Sequence, residues 1–329
     1  MIRTTLERHQ VSIYFAAVLA GTAVALGMED RTSVLEHVIS PALALMLFVT
    51  FLQVPIVELK RAASNLRFLG VLLAVNFLIL PLLVWALTAL LPSDPLVRLG
   101  VLLVLLTPCI DYVVTFSHLG RADSRALLAS TPVLLIVQIL LLPIYLGLIL
   151  GWEAAQPVRA GPFVEAFIWL IAAPLALAAL MQLWAARRTT GMRIADALGT
   201  MPVPATALVL FVVAAAVVPR LGAAQGAALA AAPVYVLFAI AAPLLGWLVA
   251  RQAGLDAASG RAIAFSAGTR NSLVVLPLAL AVPGAVPVLP AVIVMQTLVE
   301  LLSELAYVRL IRRLGASLLS PLDDDARPK

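Results

Sequence analysis

Ten apolar runs, each about 20 residues long, follow one another along the chain with short polar segments between them. A helix of about 20 apolar residues matches the hydrocarbon thickness of a bilayer, so each run predicts one membrane-spanning helix. The runs, numbered here as spans one to ten, are Val11–Gly27, Leu35–Ile56, Leu66–Leu91, Leu96–His118, Ala126–Gly151, Pro162–Ala186, Met201–Val218, Ala227–Ala250, Arg261–Val282 and Ala285–Leu310. The chain is therefore predicted to be an all-α polytopic membrane protein with a single membrane domain, residues 1–329.

Composition supports this class. Of the 329 residues 63% are hydrophobic and 12% charged, and the mean hydropathy of +1.08 is far above that of soluble domains. The basic residues lie in short loops, so the net charge of +5 reflects membrane topology and not nucleic-acid binding. We expect the lipid bilayer as a partner, and no nucleic acid, metal or cofactor. No Walker sequence or catalytic domain is recognisable, so the chain is predicted not to be an enzyme.

Lys and Arg residues alternate between the two sides of the predicted membrane. Seventeen lie in the termini and the loops on the same side, four lie in the opposite loops, and Arg270 lies within a span. Positive residues concentrate in cytoplasmic loops. The bias predicts ten spans in the cytoplasmic (inner) membrane with both termini cytoplasmic.

Two segments of the chain resemble each other. Pro132 is followed six residues later by Gln138, and Pro290 by Gln296, in spans five and ten. Two units of five spans must have opposite orientations, and inverted repeats are typical of secondary transporters. The predicted repeats are residues 11–151 and 162–314, followed by a disordered cytoplasmic tail at 315–329.

Spans four and nine each contain a polar segment at mid-depth. These segments are Thr107–Asp111 and Gly268–Asn271. A charge such as Arg270 costs about 2.5–3.5 kcal/mol at this depth unless it faces a cavity or a partner, and Asp111 is its expected counter-charge. The segments therefore predict a transport site, with a structural ion pair as the alternative.

Both segments also contain a residue that interrupts helices. Pro108 lacks a backbone N–H, and Gly268 allows unusual backbone angles. Broken helices are tolerated at this depth only where they line a cavity or pack against protein, and their ends offer N–H donors to anions and carbonyls to cations. Spans four and nine are therefore expected to face each other at their breaks, with two ordinary kinked helices as the alternative. Asn76, Gln138 and Gln296 can satisfy unwound backbone or bond across helices, which is the commoner role.

A family resemblance is carried by these same spans. The run Cys109–Leu119, followed by Asp123, resembles the fourth-helix cysteine motif of the arsenical-resistance permeases that export arsenite, within the bile acid:sodium symporter superfamily. Leu298–Glu300 resembles their tenth-helix Leu-Val-Glu. The resemblance implies ten helices in two inverted five-helix repeats. Helices one, two, six and seven would form a panel, and the other six a core domain in which broken helices four and nine cross.

The chain departs from the superfamily in span nine. Residues 266–271 fall where the superfamily carries Glu-x-Gly-x-Gln-Asn, so Ser266 and Arg270 stand at positions whose side chains help to coordinate sodium. A permanently charged guanidinium repels a cation. At least one sodium site is therefore predicted to be lost, which favours proton coupling. Asp111 also replaces a small residue of the exporter pattern.

Cys109 is the only cysteine of the chain. Arsenite and antimonite are soft, thiophilic oxyacids, and a thiolate is the softest ligand that a protein offers. A single thiol can bind arsenite weakly enough to release it. Cys109 is therefore a candidate substrate ligand, together with Asp111, Arg270 and Asn271, and simple packing is the alternative role.

Glu300 and Glu304 lie one turn apart in span ten and share a face. Glu300 is deeper, and burial favours the neutral form of a carboxyl group. Glu300 and Asp111 are therefore the predicted proton-coupling residues. Glu304 is expected to reach water or to pair with Arg309.

These observations predict a proton-coupled secondary transporter that exports arsenite, with antimonite as an additional substrate. A sodium- or proton-coupled symporter of a small organic anion is the first alternative. A membrane sensor or scaffold without transport activity is the second.

Overall fold

The computed structural model describes residues 2–27, 33–53, 65–110, 113–151, 168–280, 282 and 284–315, which are almost entirely helical. The helices are α1 (Ile2–Gly27), α2 (Ser33–Phe51), α3 (Leu66–Ala74), α4 (Leu80–Leu87), α5 (Pro95–Leu105), α6 (Val113–Leu119), α7 (Ser124–Leu150), α8 (Ala173–Ala185), α9 (Thr189–Leu198), α10 (Pro202–Gln252), α11 (Ala257–Gly268), α12 (Ser272–Leu280) and α13 (Val288–Leu310). Two π-helical segments, Val75–Ile79 and Ile168–Ala172, precede α4 and α8, and 3-10 turns at Thr88–Leu90 and Ile311–Arg313 follow α4 and α13.

The all-α, multi-pass membrane class is confirmed. Five helices in the described part of the chain are long and apolar enough to cross a membrane, and a bent pair, Thr189–Leu198 with Pro202–Ala216, makes a sixth. Spans four and nine are divided into short halves of 11 and 7 residues (α5, α6) and of 12 and 9 residues (α11, α12). The number of ten spans stays a prediction.

Span boundaries differ from the prediction at α9, which lies in the predicted loop between spans six and seven, and within α10. The sequence predicts a loop between Val218 and Ala227, whereas the backbone stays helical throughout α10. Alanine has the highest helix propensity, and this region is rich in alanine. Local propensity here outweighs Pro219, Gly222 and Gly226, whose residue types typically interrupt a helix.

The helices pack closely through small residues and expose apolar ones. A Cβ at Gly21 of α1 would lie 2.4 Å from the carbonyl oxygen of Phe211, and one at Gly246 would lie 2.7 Å from the Cβ of Ala267. Such close approach is typical of helices in a membrane, where dispersion contacts replace the hydrophobic effect between helices. Large apolar side chains such as Trp85 cover the outer surface, as lipid contact requires.

Two prolines are compensated in the same way in the two halves of the chain. Pro81 has no N–H for the carbonyl of Phe77, four residues earlier, and the hydroxyl of Tyr145 donates to that carbonyl instead. Pro243 likewise leaves the carbonyl of Ala239 open, and the hydroxyl of Tyr307 donates to it. Both tyrosines lie 68 residues after the carbonyl that they satisfy.

The same spacing relates further contacts. Asp94 caps α5 through the amides of the residues two and three positions later, and Asp256 caps α11 identically. Each second-half residue lies 162 positions after its counterpart (256 minus 94; 307 minus 145). The shared spacing relates contacts in the two halves of the chain. The inverted repeats 11–151 and 162–314 and the tail at 315–329 stay predictions, and residues 316–329 lie outside the described residues. A shift of 162 positions, called here the register of 162, pairs Gln138 with Glu300. The sequence predicts that Gln138 pairs with Gln296, which lies one turn earlier in α13.

Candidate functional site

The two broken spans cross at their breaks, as predicted. Residues Pro108 and Arg270 form an antiparallel bridge. The amide of Cys109 donates to the carbonyl of Thr269 (3.2 Å), and the amide of Asn271 donates to the carbonyl of Thr107 (2.9 Å). The flanking residues make both hydrogen bonds, so the missing N–H of Pro108 leaves no bond unmade.

Arg270 is completely buried at this crossing. Its Nη2 atom lies within hydrogen-bond distance of three oxygens: the carbonyls of Ser266 (2.6 Å) and Ala267 (2.8 Å) and the Oδ1 atom of Asn76 (2.9 Å). Its Nη1 atom reaches the carbonyl of Leu105 at 3.4 Å. The guanidinium thus faces oxygen atoms contributed by three separate segments of the chain.

The position of Arg270 follows from the ends of two half-helices. Leu105 ends α5, and Ser266 and Ala267 lie in the last turn of α11, where carbonyls have no intrahelical donor. Helix C-termini carry partial negative charge, and a cation there is stabilised. The guanidinium also lies over the ring of Phe238, with 5.3 Å from Cζ to the centroid. Arg270 therefore occupies a site built for a positive charge.

Asn76 connects span three to the crossing. It lies in the π-helical segment Val75–Ile79, and such local widenings of a helix are frequent at functional sites. Its amide group donates to the Oγ atom of Ser266 (3.0 Å) and to the carbonyl of Leu72 (3.0 Å), while its oxygen accepts from Arg270. Ser266 thus takes part through both its side chain and its carbonyl.

Gly268 has a different role from the one predicted. Its backbone angles are not in the left-handed region, where the described glycines are Gly151, Gly254, Gly284 and Gly315. A Cβ at Gly268 would instead lie 2.7 Å from the ring of Tyr307. The glycine is required because α13 approaches the end of α11 closely.

Two carboxyl groups of α13 reach the crossing, and both are buried. Glu300 accepts a hydrogen bond from the backbone amide of Arg270 (2.7 Å) and another from the side-chain amide of Gln296, both at Oε2. Glu304 is completely buried and contacts the hydroxyl of Thr269. The expectation that Glu304 reaches water or pairs with the exposed Arg309 is wrong, because α13 turns this face towards α11.

Several polar groups near the crossing are buried without a hydrogen-bond partner among the described residues. They include the amide nitrogen of Asn271, the amide oxygen of Gln296 and the Oε2 atom of Glu304, and the amide oxygen of Gln138 in α7 is also unsatisfied. Buried polar groups are almost always satisfied, so these groups are open to a water molecule or a ligand. Cys109 is buried in the same crossing, and Asn271 is its counterpart 162 positions later. Asp111 lies outside the described residues, so its predicted pairing with Arg270 stays a prediction.

The sodium bile acid symporter family matches residues 40–223, more than half of the chain. The chain belongs to this family. No curated protein matches it. As a member of the sodium bile acid symporter family, the chain is a multi-pass membrane transporter of the bile acid symporter type, with a small anion or a sodium-coupled solute as the class of substrate.

The part that matches the sodium bile acid symporter family includes Asn76, Pro108 and Cys109 but ends before Arg270 and α13. The guanidinium and the two carboxyl groups therefore lie outside the matched residues. Sequence reasoning missed the contacts of Phe238 and Glu304 with the crossing, and it did not identify the partners of Asn76. The one available signal was the placement of polar or aromatic residues within apolar runs, which does not say which residues meet.

Proposed function

We propose that this transporter exports arsenite, with antimonite as an additional substrate, across the cytoplasmic membrane in exchange for protons. The observation that carries the proposal is the position of Cys109. The only thiol of the chain lies buried in the crossing of the two broken spans, with its amide bonded to Thr269. A soft ligand at this point favours a soft, thiophilic substrate.

The chemistry at Cys109 is a reversible ligand exchange. Arsenous acid replaces one hydroxyl group by the sulfur of Cys109, and the thiol proton leaves with that hydroxyl as water. A single arsenic–sulfur bond is weak enough to be reversed on the other side of the membrane. The amide nitrogen of Asn271 can donate to a remaining arsenic hydroxyl, and Asp111 and Arg270 complete the proposed substrate set.

Arg270 supports coupling to protons instead of sodium. Its guanidinium already contacts the oxygens at the ends of α5 and α11, which are the kind of ligand that a sodium ion takes. A tethered cation that cannot lose its proton excludes a second cation from this place. Protons then have to be carried by carboxyl groups, for which Asp111 and the glutamates of α13 are available.

The test is arsenite uptake into everted membrane vesicles, with a proton gradient and a sodium gradient imposed separately. We expect accumulation with the proton gradient alone. Cys109→Ser should be produced at the wild-type level and should lose accumulation, because serine keeps the volume and removes the soft ligand. Ser117→Ala is the matched control, since the hydroxyl of Ser117 in α6 is buried but bonds only its own helix, at the carbonyl of Val114. Equal uptake by Cys109→Ser and wild type would contradict the proposal.

A small organic anion is the second candidate substrate. The family match and the positive charge of Arg270 favour it, because a guanidinium binds a carboxylate with two parallel hydrogen bonds. Sodium-driven uptake of a carboxylate that survives in Cys109→Ser would decide for this candidate.

A further inference from the structure

The hydroxyl of Thr269 has two acceptors in contact but only one hydrogen. Its Oγ atom lies 2.7 Å from the carbonyl oxygen of Phe265 and also contacts Oε1 of Glu304. The carbonyl cannot donate, whereas a carboxyl group can when it is protonated, so both contacts are full hydrogen bonds when the hydroxyl donates to Phe265. The contact with Glu304 is then a hydrogen bond only if Glu304 supplies the hydrogen.

The other half of the chain supports this assignment. Thr107, the counterpart of Thr269 in the register of 162, has two carbonyls of its own helix as acceptors, those of Leu103 (3.0 Å) and Val104 (2.9 Å). The bond to Leu103, four residues earlier, corresponds to that of Thr269 to Phe265. At the position that corresponds to Glu304 the first half has Leu142. The threonine hydroxyl therefore bonds its own helix in both halves. In the second half, Glu304 makes a further contact with that hydroxyl, for which Leu142 has no equivalent group.

The surroundings of Glu304 also favour its protonated form. The carboxyl group is completely buried, and its Oε2 atom has no hydrogen-bond partner among the described residues. The titratable groups that face it are Glu300 and Tyr307 on α13, with Arg270 beyond them next to α11. On α10 the titratable group is the buried Tyr235, one turn before the carbonyl that Tyr307 contacts. An ionised Glu304 would lie unsolvated beside a second acid.

Glu300 has the opposite surroundings. Two N–H groups, from the backbone of Arg270 and the side chain of Gln296, donate to its Oε2 atom. Two donors on one carboxyl oxygen stabilise the ionised form. Glu300 is therefore an anion that holds the backbone of the crossing, whereas Glu304 is neutral.

We propose that Glu304, and not Glu300, carries the transported proton. While the proton is bound, a hydrogen bond from Glu304 to Thr269 holds α13 against the crossing. With the proton bound, Glu304 donates to Thr269, whose own carbonyl accepts from Cys109. After the proton leaves, Thr269 cannot satisfy both oxygens, and two buried anions lie one turn apart on α13. This arrangement favours separation of α13 from Thr269, and hence movement of the segment that holds Cys109. The assignment of the transported proton to Glu304 names the proton carrier of the proposed export. It rests on the proposed function for the direction of transport.

Infrared spectroscopy of the purified protein in lipid tests the protonation without any substrate. We expect the carbonyl band of a protonated carboxyl group at neutral pH in wild type. The band should disappear in Glu304→Gln and persist in Glu300→Gln. Thr269→Val should shift it to higher frequency, because the hydrogen bond to Oγ is lost, and this variant decides the matter if Glu304→Gln does not fold. A wild type without the band, a band that survives in Glu304→Gln, or no shift in Thr269→Val overturns the proposal.

Transport in vesicles tests the coupling. Glu304→Gln keeps a neutral group that can donate to Thr269, so it should retain exchange of arsenite at equal concentrations on both sides. It should lose accumulation driven by a proton gradient, and the pH dependence of the exchange rate. Proton-driven accumulation by Glu304→Gln overturns the assignment. If wild type does not transport arsenite at all, the proposed substrate fails, while the infrared result still decides which glutamate holds the proton.

Discussion

Tyr307 donates its hydroxyl hydrogen to the backbone carbonyl of Ala239, which Pro243 leaves without a helical donor. The bond fixes α13 against α10 beside the crossing, and Tyr145 makes the corresponding bond to Phe77 in the first half. In each half of the chain, a proline leaves one backbone carbonyl without a helical donor. A tyrosine of another helix donates to that carbonyl instead.

Removing either hydroxyl should destabilise the protein. Tyr307→Phe leaves the carbonyl of Ala239 buried and unsatisfied, at a cost of about 1–3 kcal/mol, and Tyr145→Phe should behave alike. Thermal unfolding in detergent measures the effect. Tyr235→Phe is the matched control, because its buried hydroxyl has no hydrogen-bond partner among the described residues. Equal losses for Tyr235→Phe and Tyr307→Phe would show that the hydroxyl bonds contribute nothing specific.

Replacing Arg270 should create a response to sodium. Arg270→Gln removes the guanidinium from the oxygens of Ser266, Ala267 and Asn76, which a sodium ion can then coordinate. We expect sodium to raise the unfolding temperature of Arg270→Gln and to leave that of wild type unchanged. Potassium and choline chloride at the same ionic strength are the controls, and an equal response to all three salts would exclude a specific site.

The predicted pair of Asp111 with Arg270 can be tested by a double-mutant cycle. Breaking a buried ion pair costs about 3–5 kcal/mol, so each single change, Asp111→Asn or Arg270→Gln, should be strongly destabilising. The double variant removes both charges and keeps polar groups, so its stability should exceed the additive expectation while transport stays lost. Additive losses of stability would show that the two charges do not interact.

The capping residue of α11 gives a pH-dependent prediction. Hydrogen bonding, chiefly from the backbone amide of Ser259, lowers the pKa of the Asp256 carboxyl below its usual value. Its contribution to stability is therefore complete above the unfolded pKa and is lost as the pH falls through the lower folded pKa. Asp256→Ala should cost about 1 kcal/mol at neutral pH. The cost should vanish under strongly acidic conditions, as measured by unfolding at both pH values.

The predicted topology places both termini, and the loops 121–125 and 187–193, in the cytoplasm. Single cysteines introduced into these loops of Cys109→Ser should be labelled from the same side by a membrane-impermeant maleimide. A cysteine at Arg98, in the first turn of α5 on the predicted opposite side, serves as the control for that side. Labelling of the two cytoplasmic loops from different sides would contradict two inverted repeats of five spans.

The sequence by itself determined the features that local composition controls. Apolar runs of membrane length fixed the all-α membrane class, and Pro108, placed among apolar residues, predicted the break of span four and its crossing with span nine. A charge such as Arg270 within an apolar run identified the site. The free-energy cost of burying a charge is so high that a partner or a functional role is expected for it.

Only the tertiary structure decided which groups meet. Arg270 contacts Asn76 across 194 positions of the chain, and Glu304 contacts Thr269 across 35, and neither pairing has a local pattern that could reveal it. The position of Glu304 one turn beyond Glu300 suggested exposure, yet the rotation of α13 buries both. Protonation, hydrogen bonding and ion preference depend on the atoms within about 3 Å of a group. In this protein those atoms come from distant spans, so the roles of Arg270 and the two glutamates follow from packing and not from sequence.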